Sequence, residues 1–490
     1  MERGMNRTVL AMVLAASACM AAETLPHQPG DLVIANVTVV SPERLAPLQR
    51  GFVRIREGRI AEVSDRTLDG VRTIDGTGRF LVPGLIDSHV HLQQLPMQPG
   101  QQAAHAGMAA AALAQEPRSY LFHGFTTVID LANTADAVAR WNRMDVRPDA
   151  WFCGAAPIAN GYPMNFAPEG LRFSLMPYFL DDDRQRDRIP PGIDTGSHTP
   201  DRVVARMRAD GAICAKTYYE TGFGRQRGLP TPDMATVERL TAAARAAGMP
   251  VLVHANSLEA QRFAVASGAS VIAHGLWNGN AAPNGGLSTE AIAVLDTVVD
   301  RGIGYQPTMQ VLHGEIDLFD PGFLADVRLR DVLPSALIEW AASREGQWFR
   351  DQVGENAGGA DVLASSRPLL SRLDRVVGHL AQRGARLLFG SDTPSGPTYA
   401  NPPGLNGWFE IQRWSAAGVE PSALFRALTS ENARAFGLGS EVGSIEPGKR
   451  AHLLVLGRNP LESADAYNAI ETVILAGLPI ARSDLSARRP

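Results

Sequence analysis

Between about residues 83 and 438 the chain alternates short apolar, β-branched runs with Ala-rich stretches of helical spacing, and it does so eight times. The strand candidates are Leu85–His91, Thr126–Asp130, Ala150–Gly154, Ala212–Tyr218, Pro250–His254, Ser270–His274, Gly302–Pro307 and Arg386–Ser391. Stretches such as T-V-E-R-L-T-A-A-A-R-A-A-G and S-L-E-A-Q-R-F-A-V-A-S-G lie between them and stop at glycine, a usual helix C-terminus. Eight strand–helix units predict the α/β class and a parallel (β/α)8 TIM barrel. A doubly wound sheet has the same ingredients, but no G-x-G-x-x-G follows the first strand.

The flanks have a different texture. Residues 30–82 and 439–485 are short β-rich runs punctuated by turns, such as D-L-V-I-A-N-V-T-V-V and A-I-E-T-V-I-L-A-G-L-P-I. They predict a small β-sandwich domain formed by both termini around a barrel spanning 83–438. Two insertions, 157–200 after the third strand and 309–367 after the seventh, would lie over the C-terminal mouth of the barrel, where sites are built. Tyr162, Phe166 and Tyr178 in the first insertion, and Trp340 and Trp348 in the second, are candidates for apolar substrate contacts, lid packing or an oligomer interface.

Residues 1–22 read as a signal peptide. Arg3 and Arg7 precede V-L-A-M-V-L-A-A-S-A, which is too short to span a bilayer and runs into small residues. The expectation is an extracytoplasmic protein, periplasmic or secreted. A-S-A-C, ending at Cys19, also resembles a lipoprotein box, so a lipid anchor at Cys19 stands as the alternative. No later segment predicts a transmembrane span. A net charge of −5 gives no electrostatic reason for a nucleic-acid partner. Cys153 and Cys214 remain after Cys19, too few for a disulfide framework, and Cys214 reads as a small core residue rather than a bonded one.

Of 46 Lys plus Arg, only Lys216 and Lys449 are lysine. Where arginine serves almost everywhere, a lysine in the strand-like run G-A-I-C-A-K-T-Y-Y-E points to a need for an amine that can lose its proton. Other strand ends are equally specific. The first carries His89 and His91, two apart and therefore on one side of the strand. The fifth ends at His254, the sixth at His274 and the eighth at Asp392. One such histidine is usually a core residue; ligand-type residues at the same end of five strands describe a site. His27, His105, His123, His198, His379 and His452 read as solvent-facing or helix-face residues, and His313, after the seventh strand, stays open.

These residues carry a resemblance. V-P-G-L-I-D-S-H-V-H, H-A-N-S-L-E-A-Q-R-F-A-V-A-S-G-A-S-V-I-A-H-G, F-G-S-D-T and I-E-P-G-K-R-A-H-L-L-V-L resemble signatures of the amidohydrolase superfamily, in particular its imidazolonepropionase-like and Xaa-dipeptidase-like members. His452 departs from the pattern, which commonly has Asp there. The resemblance implies two divalent metal ions, with Zn²⁺ favoured by the mixed ligand set. His89, His91 and Asp392 would hold one, His254 and His274 the other, and a CO₂-derived carbamate on Lys216 would bridge them. It further implies a metal-bridging hydroxide that attacks an amide carbonyl while Asp392 shuttles the proton to the leaving nitrogen. Tyr218, two residues past Lys216, is either a substrate-binding donor or a rim residue packing the mouth.

The function so implied is exported binuclear amidohydrolase, acting on a small peptide or N-acyl amino acid, with a homo-oligomer expected. A mononuclear imidazolonepropionase-like cyclic-amide hydrolase or deaminase is the alternative, and lactone or phosphotriester hydrolysis on the same metals is a further one. A non-catalytic binding barrel would be marked by lost ligands, and all six are present.

Overall fold

The computed structural model describes residues 31–69, 72–223, 227–277, 285–356 and 362–489. The signal-peptide segment, Cys19 and His27 lie outside the described residues.

Among the described residues, five strands open the chain: β1 (Leu32–Val39), β2 (Leu48–Arg56), β3 (Arg59–Ser64), β4 (Arg72–Asp75) and β5 (Phe80–Pro83). Three close it: β13 (Leu453–Leu456), β14 (Ile470–Leu475) and β15 (Leu478–Ala481). Together they form one sheet in the order β15-β14-β13-β5-β1-β2-β3, with β4 on β1. The two ends of the chain meet at an antiparallel seam, where Leu453 faces Pro83 and Leu456 faces Phe80. Val37, Val53, Ile55, Leu81, Leu453 and Ile474 bury one apolar core of this sheet, drawing on both ends.

Between them run β6 (Leu85–Val90), β7 (Phe125–Asp130), β8 (Asp149–Ala155), β9 (Cys214–Tyr218), β10 (Val251–His254), β11 (Val271–Ala273) and β12 (Gly304–Gln306). All neighbours are parallel and in chain order. The eighth expected strand, Arg386–Ser391, is extended chain rather than a full strand. It nevertheless closes the ring, because Tyr305 pairs with Leu387 and Val90 with Thr393, both in parallel sense. The Tyr305 amide donates to the Arg386 carbonyl at 3.0 Å and the Asp392 amide to the His89 carbonyl at 2.7 Å.

The connecting helices start where the sequence supplies caps. Asp233, Ser257 and Ser288 accept the amides of Thr236, Ala260 and Ala291, satisfying donors that the first helical turn leaves free. The helix Met234–Ala246 ends before Gly248, whose φ of +71° is the left-handed stop that glycine takes without strain. Ile86, Ile129, Cys153, Cys214, Leu252, Val271 and Leu388 form one buried cluster with Phe436 and Val442. Residues from non-neighbouring strands can meet only inside the ring, so this cluster is the plug on which the site rests. Among the described residues no helix is long and apolar enough to cross a membrane.

One expectation fails here. Cys214 is bonded, to Cys153, with a Cα–Cα distance of 4.4 Å. The two cysteines are 61 residues apart in sequence yet face each other in register across β8 and β9, a proximity that only the barrel creates.

Candidate metal centre

The strand ends deliver their side chains to one point above the apolar plug. Cys214 and Lys216 share a facing on β9, as do Leu252 and His254 on β10, so the layer of ligand-type residues lies one step above the plug. His274 and Asp392 adopt left-handed φ values of +78° and +54°, bending the chain just as each strand finishes. Such conformations cost of order 1–3 kcal/mol in non-glycine residues and concentrate at functional sites. Gly390 has to be glycine, since a Cβ there would sit 2.6 Å from that of His89.

Asp392 is the hub. Its Oδ1 lies 3.2 Å from His89 Nε2 and 3.0 Å from His91 Nε2, and its Oδ2 lies 3.6 Å from His274 Nδ1. Ligand atoms of His89, His274 and Asp392 all fall within 4.8 Å of one another. The His274 ring lies 5.1 Å from that of His89 and 4.3 Å from that of His254, which brings the fifth-strand residue into the group. Lys216 is only 2% exposed and makes no salt bridge among the described residues. Its charge is nonetheless felt by His89, His91, His254 and His274 alike. His89, His91, His254, His274 and Asp392 are thus brought together, and Lys216 reaches the same layer from β9.

The electrostatics suit cation binding. Burial pushes the His89 imidazole down to about 3 and holds His254 and His274 below the ordinary histidine value, so their lone pairs are free. Burial pulls His91 the same way, but Asp392 and Asp130 prevail and raise it. Burial also opposes ionisation of Asp392, yet His89, His91 and His274 keep it well below the usual carboxylate range. Burial moves the Lys216 ammonium down from 10.5 to about 7. Neutral imidazoles at His89, His254 and His274, an ionised carboxylate and a neutralisable amine are the donor states a divalent metal requires, so the residues fit such a group.

Aromatic side chains surround the His254 side of the site. The Tyr162 ring, from the first insertion, lies 4.8 Å from the His254 ring, with Tyr218 and Phe223 each 5.6 Å from Tyr162. Tyr218 is buried beside Lys216, whose Nζ stands 5.9 Å from its ring. The Trp277 ring lies 4.8 Å from that of His274. The other insertion aromatics serve elsewhere. Phe166 is exposed and packs edge-on to Tyr162, Tyr178 donates to Asp210, Trp340 joins an apolar cluster, and Trp348 donates to the Pro96 carbonyl.

Three histidines expected at solvent or on helix faces are buried instead. His123 packs against Phe122, His198 stacks on Phe179 with its ring 3.6 Å away, and His452 bonds Asp149 at 2.8 Å. Asp149 begins β8, at the end of the barrel opposite the site, so His452 ties the terminal sheet to the barrel floor. His105 and His379 pair with Glu345 and Asp296 near the surface. Burial pushes His313 down to about 3, and it takes no part in the cluster.

Sequence reasoning missed several supporting residues. Asp130 accepts the amides of Leu92 and Ala132 and places an oxygen 3.9 Å from His91 Nδ1. An acid closing a predicted strand was the available signal. Thr308 sets its hydroxyl 3.1 Å from His274 Nδ1. Glu220 and Asn256 contact His254, and nothing in Y-Y-E or H-A-N marked them.

A model of the amidohydrolase family matches residues 204–481, more than half of the chain, and a second model with the same description matches 80–303. The chain belongs to the amidohydrolase family. Curated relatives of this amidohydrolase include a dihydroorotase from Streptococcus pneumoniae, 38% identical over 22% of this chain and 23% of that protein. A D-hydantoinase from Rhizobium radiobacter is 31% identical over 23% of this chain and 24% of its own length. An imidazolonepropionase from Acidiphilium cryptum is 27% identical over 45% of this chain and 58% of the relative. The matched segment spans about a quarter of the length of the first two relatives. Among solved structures, the amidohydrolase is similar to an Xaa-Pro dipeptidase with bound methionine in the active site, with TM-score 0.62 and 19% identity. That match covers 92% of this chain and 100% of the other. A prolidase complexed with N-methylphosphonate-L-proline gives 0.60 and 21%, with the same two coverages. These likenesses establish a shared barrel-plus-sheet fold.

Proposed function

We propose that this amidohydrolase is an exported, binuclear metal-dependent hydrolase that cleaves the C–N amide bond of a small peptide or an N-acyl amino acid. The observation that carries the reading is Lys216, a buried amine without a salt-bridge partner among the described residues, set beside four imidazoles and Asp392. In this reading His89, His91 and Asp392 would hold one cation and His254 and His274 a second, with Lys216, as its carbamate, a ligand shared by both. When bound, two divalent cations, Zn²⁺ being the best match to these donors, would polarise the scissile carbonyl and lower the pKa of a shared water toward about 7. The neutral Lys216 amine would add to the carbon of CO₂, forming an N–C bond as one C=O π pair moves onto oxygen, with the displaced N–H proton passing to solvent water. Asp392, held ionised, takes the proton of the attacking water and delivers it to the leaving nitrogen. Burial raises the Tyr218 phenol well above its ordinary value, so it stays protonated and can donate to a substrate carbonyl or carboxylate.

The peptide class is supported by the full-length likeness to dipeptidase and prolidase structures. Export is supported by the sequence of residues 1–22, and the Cys153–Cys214 bond suits an oxidising compartment. The imidazolonepropionase relative carries the name of the alternative class, a single-metal cyclic-amide hydrolase. That reading leaves the buried Lys216 without a task. Metal content of replete protein, combined with a panel of dipeptides, N-acyl amino acids and cyclic amides, separates the two. About two metals per chain with dipeptide turnover is the expected result. About one metal with turnover of cyclic amides alone would replace it with the single-metal reading, and no metal at all would leave a binding module.

A further inference from the structure

Glu220 stands four residues beyond Lys216, past the end of β9, and is 4% exposed. Its surroundings are unusually definite. Oε1 accepts the Gly222 amide at 2.7 Å, and Oε2 lies 2.7 Å from Asn256 Nδ2 and 3.2 Å from His254 Nε2. A backbone amide can only donate, and the Asn256 amide group turned the other way would set its carbonyl against the carboxylate. The Glu220 oxygens are thus acceptors throughout; Asn256 Nδ2 also lies 3.4 Å from His254 Nε2, but the carboxylate is nearer at 3.2 Å, and an unprotonated Nε2 would set lone pair against lone pair, so that nitrogen carries the hydrogen. The other ring nitrogen, Nδ1, then keeps the lone pair.

The first-strand pair is arranged the opposite way. His89 and His91 present Nε2 to Asp392, while His274 Nδ1 lies between the Thr308 hydroxyl at 3.1 Å and Asp392 Oδ2 at 3.6 Å. We propose that Glu220 is the positioning residue that fixes His254 as its Nε2–H tautomer, making Nδ1 the metal-binding atom of the fifth strand. Asn256 keeps the carboxylate aligned. The assignment rests on the binuclear centre proposed above, and it gives the second cation a supporting carboxylate of the kind that commonly orients ligating histidines.

The test compares the native protein with Glu220→Gln and Glu220→Ala, measuring zinc binding by chelator competition and imidazole nitrogens by ¹⁵N NMR of histidine-labelled, metal-free protein. The native protein is expected to show His254 hydrogen on Nε2. Both variants should bind the second zinc equivalent about 10–100-fold more weakly while the first equivalent is unchanged, which also certifies the fold. Glu220→Ala should lose the single-tautomer signature. A native protein with the His254 hydrogen on Nδ1 would overturn the assignment, as would variants that bind both equivalents with native affinity. Failure of the native protein to take up a second equivalent would instead bring down the binuclear centre, and this inference with it.

Discussion

In metal-free protein kept clear of CO₂, Lys216 should titrate near neutrality, and the composition of the chain makes that directly observable. Lys216 and Lys449 are its only lysines, so protein grown on lysine ¹³C-labelled at Cε gives two carbon resonances. Burial pushes the Lys216 ammonium down from 10.5 to about 7, with Asp392 opposing it only in part. At pH 7 about half of such amines are neutral, against about three in ten thousand for free lysine. That enrichment, on the order of a thousandfold, is what capture of CO₂ at physiological pH requires. The displacement corresponds to roughly 5 kcal/mol disfavouring the charged form. Between pH 7 and 10.5 the unfolded chain retains a proton that the folded chain has released, so stability of the metal-free protein rises with pH across this window and levels above it. Lys216→Met keeps the length and removes the charge. The variant should be the more stable metal-free protein at and below pH 7, and its advantage should vanish toward pH 10.5. Denaturant unfolding of the pair across pH, read beside the Cε titration, measures both effects. A Lys216 midpoint at about 10.4, the free-lysine value, or a stability difference that ignores pH, would refute a neutral amine in the site.

Asp392→Asn should reduce kcat about 10²–10⁴-fold, because the amide cannot shuttle a proton. Near-normal turnover with both metals bound would remove the shuttle role. Tyr218→Phe should raise KM about fivefold, the equivalent of one hydrogen bond of about 1 kcal/mol, and an unchanged KM would reduce Tyr218 to packing. Replacing Cys153 and Cys214 together with alanine should lower stability by up to about 4 kcal/mol, since the bond closes a span of 61 residues, without altering metal content. Equal unfolding midpoints for this variant and the oxidised native protein would contradict a stabilising cross-link.

The parts of the site that a reader of the sequence can find are those fixed by period and by place along a strand. His89 and His91 are two apart, and His254, His274 and Asp392 each terminate an apolar run, so the barrel orders them before any contact is known. Contacts made by the return of the chain are different. Cys153 and Cys214 become neighbours only when β8 and β9 register, and His452 meets Asp149 across 303 residues. His123 and His198 are buried by helices and loops packed over them, which no local pattern announces. Glu220 lies just past β9, where side-chain direction is set by the loop and the two-residue period no longer applies. The eighth strand was legible as an apolar run but not as an irregular one, since its pairing reduces to single bridges at Leu387 and Thr393 that only the closed ring defines.

The seam between β5 and β13 has a consequence for biosynthesis. Strand β5 is finished by residue 83, whereas its partner begins at Leu453, so the ribosome adds about 370 residues before the inter-terminal pairing can form. Until then the β5 edge offers unpaired amides and carbonyls to any passing strand, a recognised route to aggregation. Arrival of the segment from Leu453 onward thus acts as the closing stitch, and a chain cut short after the barrel would carry that open edge for good.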